Sequence, residues 1–194
     1  MPRHTHETVL RPVLVINPNY SSRNNWIIRP SATALLLVDV QNSEISEETR
    51  EKKPDYYQRI INTALPNQKK LIDFARSANL EIIYTVIESL TRDGRDRSLD
   101  HKLSDILIPK GSEFAKVIND IAPEEDDIVL SKTSSGVFNS TNIDYVLRNL
   151  GIETLIICGF LTDQCVDMAV RNAADKGYFV ICVDDACATH NEER

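Results

Sequence analysis

Thr154-Leu155-Ile156-Ile157-Cys158-Gly159-Phe160-Leu161-Thr162-Asp163-Gln164-Cys165 decides how this chain folds. Its opening run of apolar and β-branched residues is too short for a buried helix, and its continuous rather than alternating pattern fits a strand covered on both faces. A glycine and a threonine follow, and residues 163–176 then take helical spacing, so the stretch reads as a strand feeding directly into a helix. Working outward, strand-like runs recur at residues 33–38, 81–87, 127–130 and 178–183, with helical segments at 60–78, 113–121 and 141–150 between them. Strand-helix alternation of this kind predicts a three-layer, doubly wound parallel α/β sheet. The punctuation agrees. Gly151 and Gly177 stand where helices end, Thr141 and Asp144 form a loose capping pair, Thr162 is placed to cap the last helix, and Pro66 kinks or starts the helix that contains it.

The chain has 194 residues and a net charge of −7, enough length to bury roughly 70% of the unfolded chain's surface without a disulfide or metal. An acidic chain without a dense Lys/Arg patch has no long-range pull on phosphate backbones or anionic lipid, which argues against nucleic acid and membrane partners. No apolar run approaches the roughly 20 residues of a membrane span, and residues 1–11 carry no signal core, so a cytoplasmic location is expected. Cys158, Cys165, Cys182 and Cys187 lack metal-site spacing with the four histidines, and neither a zinc site nor any other metal is expected. Cys158 and Cys182 lie within strand runs and read as buried small hydrophobes. Residues 1–30 stand outside the periodic pattern as an N-terminal arm, in which Pro12 to Ile16 forms either a short strand or a contact with a neighbouring subunit. Residues 31–194 form the single domain.

In a doubly wound sheet, sites form beyond the carboxyl ends of the strands, near the point where strand order reverses. Three reactive groups occupy such ends. Asp39 follows Leu35-Leu36-Leu37-Val38, at a rim where loss of water suits a carboxylate to carry a proton, although an aspartate there is more often a loop acceptor or cap. Lys132 ends the third strand and on its own reads as a solvated lysine. Cys165 falls in the first turn of the helix after the fourth strand, where unpaired N–H groups and the helix dipole favour a thiolate and offer donors to an oxyanion. The plainer reading of Cys165 is a packed core thiol.

These three residues in their contexts resemble the isochorismatase-like cysteine hydrolase superfamily, in particular its amidohydrolase branch with N-carbamoylsarcosine amidohydrolase and the ureidoacrylate and biuret hydrolases. The resemblance runs from about Thr33 to Thr189 through Leu37-Val38-Asp39-Val40-Gln41, Gly111-Ser112-Glu113-Phe114-Ala115, Ser131-Lys132-Thr133-Ser134-Ser135-Gly136-Val137-Phe138, Cys158-Gly159-Phe160-Leu161-Thr162-Asp163-Gln164-Cys165 and Val183-Asp184-Asp185-Ala186-Cys187. It implies an Asp39-Lys132-Cys165 triad with the cysteine as nucleophile, a cis peptide between Phe160 and Leu161, and an oxyanion hole from the amides of Leu161 and Cys165. It further implies cleavage of a C–N bond in a small amide or ureido compound through a thioester, with no cofactor, in a homo-oligomer (dimer or tetramer). The superfamily sheet has six strands, so a last strand and helix are expected to be missing from this chain.

Departures narrow the substrate. The histidine-bearing metal segment of nicotinamidases is replaced by Glu88-Ser89-Leu90-Thr91-Arg92-Asp93-Gly94-Arg95-Asp96-Arg97, and the aromatic residue that many members carry after the Asp-x-Gln stretch is replaced by Ser43-Glu44. A more polar substrate is expected. Gln41, Glu88 and Phe138 are candidate substrate contacts, Arg92, Arg95 and Arg97 read either as a carboxylate-attracting cap or as solvated loop charge, and residues 47–55 read as a mobile surface stretch. The competing readings are an isochorismatase-type ether hydrolase, a Cys-His hydrolase using His190, a non-catalytic scaffold, and a redox pair from Cys182 and Cys187.

Overall fold

The structure, a computed structural model, describes residues 26–191; most of the N-terminal arm, including Pro12 to Ile16, lies outside the described residues. β1 (Thr33–Val38) is buried at all six positions, as its unbroken apolar run requires, because both of its faces are covered. β2 (Glu81–Ile87) and β4 (Thr154–Phe160) flank it in parallel, and β3 (Ile128–Lys132) and β5 (Phe179–Ala188) extend the sheet outward. The strand order is β3-β2-β1-β4-β5, so the chain reverses its direction of winding between β1 and β4. That seam is where a site belongs.

The connecting helices are α1 (Glu47–Lys52), α2 (Pro54–Arg59), α3 (Leu65–Ser77), α4 (Leu99–Leu103), α5 (Val137–Ser140), α6 (Ile143–Asn149) and α7 (Asp167–Asp175). α3 packs on β1, β2 and β5, and α7 on β4 and β5. The first two strands keep the bounds that their apolar runs predict. β4 continues past its run into Gly159-Phe160, which pair with Cys187 and Ala188, and β5 reaches those partners across a bulge that leaves residues 183–186 outside the ladder.

Several local expectations are corrected. The helix expected at 60–78 is split: a π-helical turn, Ile60–Ala64, separates α2 from α3, with Pro66, which has no N–H to donate, in the first turn of α3. Residues 113–121 form two single 3₁₀ turns, Glu113–Ala115 and Asn119–Ile121, since Val117 between them bridges to Gln41 and pulls the backbone into extended form. Within the surface stretch 47–55, Glu47–Lys52 form α1, and Ser46 caps it by accepting from the Thr49 N–H at 3.2 Å. Thr141 accepts from the Ile143 N–H at 3.1 Å, but Asp144 turns its carboxylate to the Tyr178 hydroxyl at 2.8 Å, so the capping pair is half formed. Thr162 caps nothing with its side chain, because the chain enters α7 through a π-helical turn, Thr162–Val166. Cys158 is buried as expected, whereas Cys182 is exposed.

Gly159 has a positional requirement. It pairs with Val38 across the seam at φ 130°, and a Cβ built on it would stand 2.0 Å from the Val38 carbonyl oxygen and 2.7 Å from the Val38 nitrogen. Backbone on both sides leaves nothing to yield. Gly159→Ala is therefore expected to lower unfolding free energy by more than about 3 kcal/mol, read as a shift in urea midpoint. A loss below about 1 kcal/mol would contradict this packing of the seam.

Candidate active site

Asp39 lies one residue past β1 in a left-handed conformation, φ 54°, with its N–H bonded to the Thr85 carbonyl at 3.0 Å. Its side chain is thereby turned over the end of the sheet, where Oδ1 accepts from the Thr85 hydroxyl at 3.0 Å. Lys132, the last residue of β3, is two strand spacings from β1, about 10 Å, a span its long side chain can bridge. Its Nζ reaches 2.8 Å from Asp39 Oδ2 and 3.4 Å from Cys165 Sγ, and donates to the carbonyls of Ser134 and Ser135 at 2.8 and 3.2 Å. Cys165 sits in the π-helical turn after β4, with its turn fixed by the Gln164 and Val166 N–H groups donating to the Leu161 carbonyl. The Phe160–Leu161 peptide is cis. An acid, an amine and a thiol from three β-α junctions thus meet at the seam, all three nearly inaccessible to solvent.

Burial pushes the Cys165 thiol up to about 12; the Asp39 charge adds to this and the Lys132 ammonium opposes it. The expectation of a thiolate favoured by the helix end is thus corrected: withdrawal from water, the largest influence, keeps the proton on the resting sulfur. Burial works against the Lys132 charge, but the Asp39 carboxylate in contact outweighs it and holds the ammonium above its ordinary value. Both folded-state values are raised, so the stability they contribute is complete below the ordinary values, 9.0 for the thiol and 10.5 for the lysine, and is lost as pH rises through the folded ones. Urea midpoints are expected to fall progressively above about pH 9, with Cys165→Ala removing the thiol's share of that decline. An identical alkaline profile in the variant would contradict the assignment.

The surroundings contain groups that the sequence reading missed. Thr85, in the interior of β2, tethers Asp39; a small polar residue inside an apolar run was the available signal. His101 is buried with Nε2 3.4 Å from the Ser135 hydroxyl, and burial, then the Lys132 charge, lowers its pKa. Tyr56, 2% exposed, donates to Glu44 Oε2 at 2.6 Å. A cavity of about 600 Å³ opens beside the triad's supports, with Ser134, Ser135, Asp96, Ser98, Asn139 and Met168 in its wall.

The expected substrate contacts are otherwise engaged. Gln41 is fully buried and ties loops together: its amide donates to the carbonyls of Ile87 and Phe114 at 3.2 and 3.0 Å and accepts from the Ile87 N–H at 2.7 Å. Glu88 accepts from the Gly111 N–H at 2.8 Å and the Ser131 hydroxyl at 2.7 Å, which pins the loop after β2 to β3. Phe138 packs against Tyr178, ring centroids 6.2 Å apart, and under the Lys176 ammonium; both partners precede β5, at the sheet's opposite edge. Arg95 pairs with Asp93, and Arg97 braces its own loop through the carbonyls of Gly94 and Ile106, so these two read as loop structure. His190 packs edge-on to Tyr56 at 4.7 Å, with Lys53 Nζ 2.9 Å from its Nε2.

Residues 33–194 match the isochorismatase domain model. The chain is 29% identical to the ureidoacrylate amidohydrolase RutB of Rhizobium rhizogenes over 180 residues, covering 84% of this chain and 72% of that protein. Among solved structures it is similar to a cysteine hydrolase from Pseudomonas syringae pv. phaseolicola (TM-score 0.73, 29% identity, covering 85% of this chain and 76% of that one). It is also similar to an N-carbamoylsarcosine amidase from Thermoplasma acidophilum (TM-score 0.67, 29% identity, 81% and 84% covered). The chain belongs to the isochorismatase family. It is a hydrolase of that family, built on the parallel α/β sheet its sequence predicts, and among the described residues no helix is long and apolar enough to cross a membrane.

Proposed function

We propose that the protein hydrolyses a C–N bond in a small amide or ureido compound, with Cys165 as nucleophile, Asp39 as proton carrier and Lys132 as the fixed counter-charge. The observation that carries this reading is the buried ammonium 2.8 Å from the carboxylate and 3.4 Å from the sulfur. Because the resting thiol is protonated, Asp39 removes its proton as the sulfur attacks the carbonyl carbon, and Lys132 stabilises the negative charge shared between them. The carbonyl oxygen becomes an anion held by the N–H groups of Leu161 and Cys165, each such donor contributing about 3 kcal/mol to barrier lowering in other acyl-transfer enzymes. Collapse breaks the C–N bond, Asp39 returns its proton to the departing nitrogen, and a thioester remains on Cys165. Water, losing a proton to Asp39, then adds to the thioester; expulsion of the sulfur, reprotonated by Asp39, frees the acid.

The names of the relatives support the choice of bond, since a ureidoacrylate amidohydrolase and an N-carbamoylsarcosine amidase both act on nitrogen-bearing carbonyls. The substrate contacts are reassigned: Gln41 and Glu88 hold the loops that frame the cleft, and Phe138 anchors α5 to Tyr178 and Lys176. Retention of a buried thiol beside an acid and an amine favours this chemistry over vinyl-ether hydrolysis, which needs no nucleophilic sulfur. An ammonia-release screen over ureido acids, biuret, carbamoyl amino acids and simple carboxamides tests the reading. Turnover that disappears in Cys165→Ser supports it, and turnover that persists in that variant overturns it.

A further inference from the structure

Cys182 and Cys187 both belong to β5, and on a regular strand five steps would put them about 16 Å apart on opposite faces. The bulge removes that separation. Cys182 pairs with Ile157 and Cys187 with Gly159, and these partners are neighbours but one on β4. The two cysteine Cα atoms are therefore held about two strand steps apart, about 6.6 Å, near the upper end of the roughly 4.4–6.8 Å that a disulfide spans. Alternate residues of a strand project to one face, so both thiols share the face of Ile157 and Gly159. The looped-out residues are anchored through their backbone, with Asn67 and Gln68 of α3 donating to the carbonyls of Asp185 and Ala186 at 2.9 and 2.8 Å.

The pair is asymmetric. Cys182 is exposed, whereas Cys187 is buried, with its Sγ 3.3 Å from the Val183 carbonyl oxygen. Their contact lowers the Cys182 pKa against partial burial, and contact and burial together raise that of Cys187. One sulfur is thus an accessible nucleophile and the other a protonated partner beside it. Cys165, nearly inaccessible and holding its proton, is the poorer target for an oxidant.

We propose that Cys182 and Cys187 form a reversible intrachain disulfide, a modification site for hydroperoxides that reacts ahead of Cys165. The Cys182 thiolate attacks one oxygen of hydrogen peroxide, the O–O bond breaks, and a sulfenic acid forms; the departing hydroxide takes up the proton that the thiol gave to solvent. The Cys187 sulfur then attacks the Cys182 sulfur, the S–O bond breaks, and hydroxide leaves with the Cys187 proton as water. Two electrons pass from the sulfurs to the peroxide. The bridge stands directly before Ala188, which pairs with Phe160, and Thr189, whose hydroxyl donates to Asp163 in the turn that carries Cys165.

The test exposes the whole protein to hydrogen peroxide, blocks free thiols with N-ethylmaleimide under denaturing conditions, and weighs the tryptic peptides. Residues 177–194 carry Cys182 and Cys187, and residues 149–171 carry Cys158 and Cys165. Residues 177–194 are expected to lose about 2 Da and both labels, and to regain both labels after dithiothreitol. This conversion should run about tenfold or more ahead of any loss of label at Cys165. In Cys182→Ser, Cys187 should keep its label through the same exposure. A peptide that keeps both labels, a gain of about 32 Da on Cys182 with Cys187 still labelled, a bridge joining two chains, or earlier oxidation of Cys165 would overturn the inference.

Discussion

Cys165→Ala is expected to lower kcat for amide cleavage by on the order of 10⁵-fold, about 7 kcal/mol of barrier, because no other group can form the covalent intermediate. The thiol is 5% exposed and touches the Lys132 ammonium, so the substitution removes a small, weakly polar group and leaves the Asp39–Lys132 pair intact at 2.8 Å. Stability should therefore change by only about 1 kcal/mol, and loss of activity will not be a symptom of unfolding. The alternative that His190 partners the cysteine makes a different forecast. His190 lies against Tyr56 and Lys53, and His190→Ala is expected to retain kcat within about tenfold, whereas Asp39→Asn is expected to lose on the order of 10⁴-fold.

Lys132→Met should destabilise the fold by about 3–5 kcal/mol, because it strands the Asp39 carboxylate in a site that excludes water. Asp39 would retain the Thr85 hydroxyl on one oxygen and lose the Lys132 ammonium, its counter-charge in contact among the described residues. Asp39→Asn strands the ammonium less severely, since the Ser134 and Ser135 carbonyls still accept from it at 2.8 and 3.2 Å. The double variant Asp39→Asn/Lys132→Met removes both charges and is expected to be more stable than Lys132→Met alone, while remaining inactive. Urea unfolding of the four proteins checks this order; additive losses in the double variant would show that the two groups are not coupled.

Much of the sheet was legible because a strand buried on both faces writes itself as an unbroken apolar run. Thr33–Val38 and Glu81–Ile87 follow from that pattern alone. What lay beyond the runs was harder. The extensions of β4 and β5 and the π-helical turns at Ile60–Ala64 and Thr162–Val166 answer to tertiary packing that no local period records. The three groups at the seam were legible through their place at strand ends, where polar residues interrupt apolar runs. Their partners were not, since Ser134 and Ser135 contribute backbone carbonyls, which carry no side-chain signature. Gln41 shows the opposite error: a polar residue beside Asp39 suggested a substrate contact, yet its amide is spent on the backbone of Ile87 and Phe114.

The most direct test of the central claim is intact-mass analysis of the protein quenched in acid during turnover of an amide found by the ammonia-release screen. The account predicts an adduct on Cys165 equal to the substrate's acyl group, released by hydroxylamine and absent from Cys165→Ser. Steady turnover by Cys165→Ser, or rapid-quench samples of a turning-over wild type in which the acyl group never appears on Cys165 at any time point or pH, would contradict it.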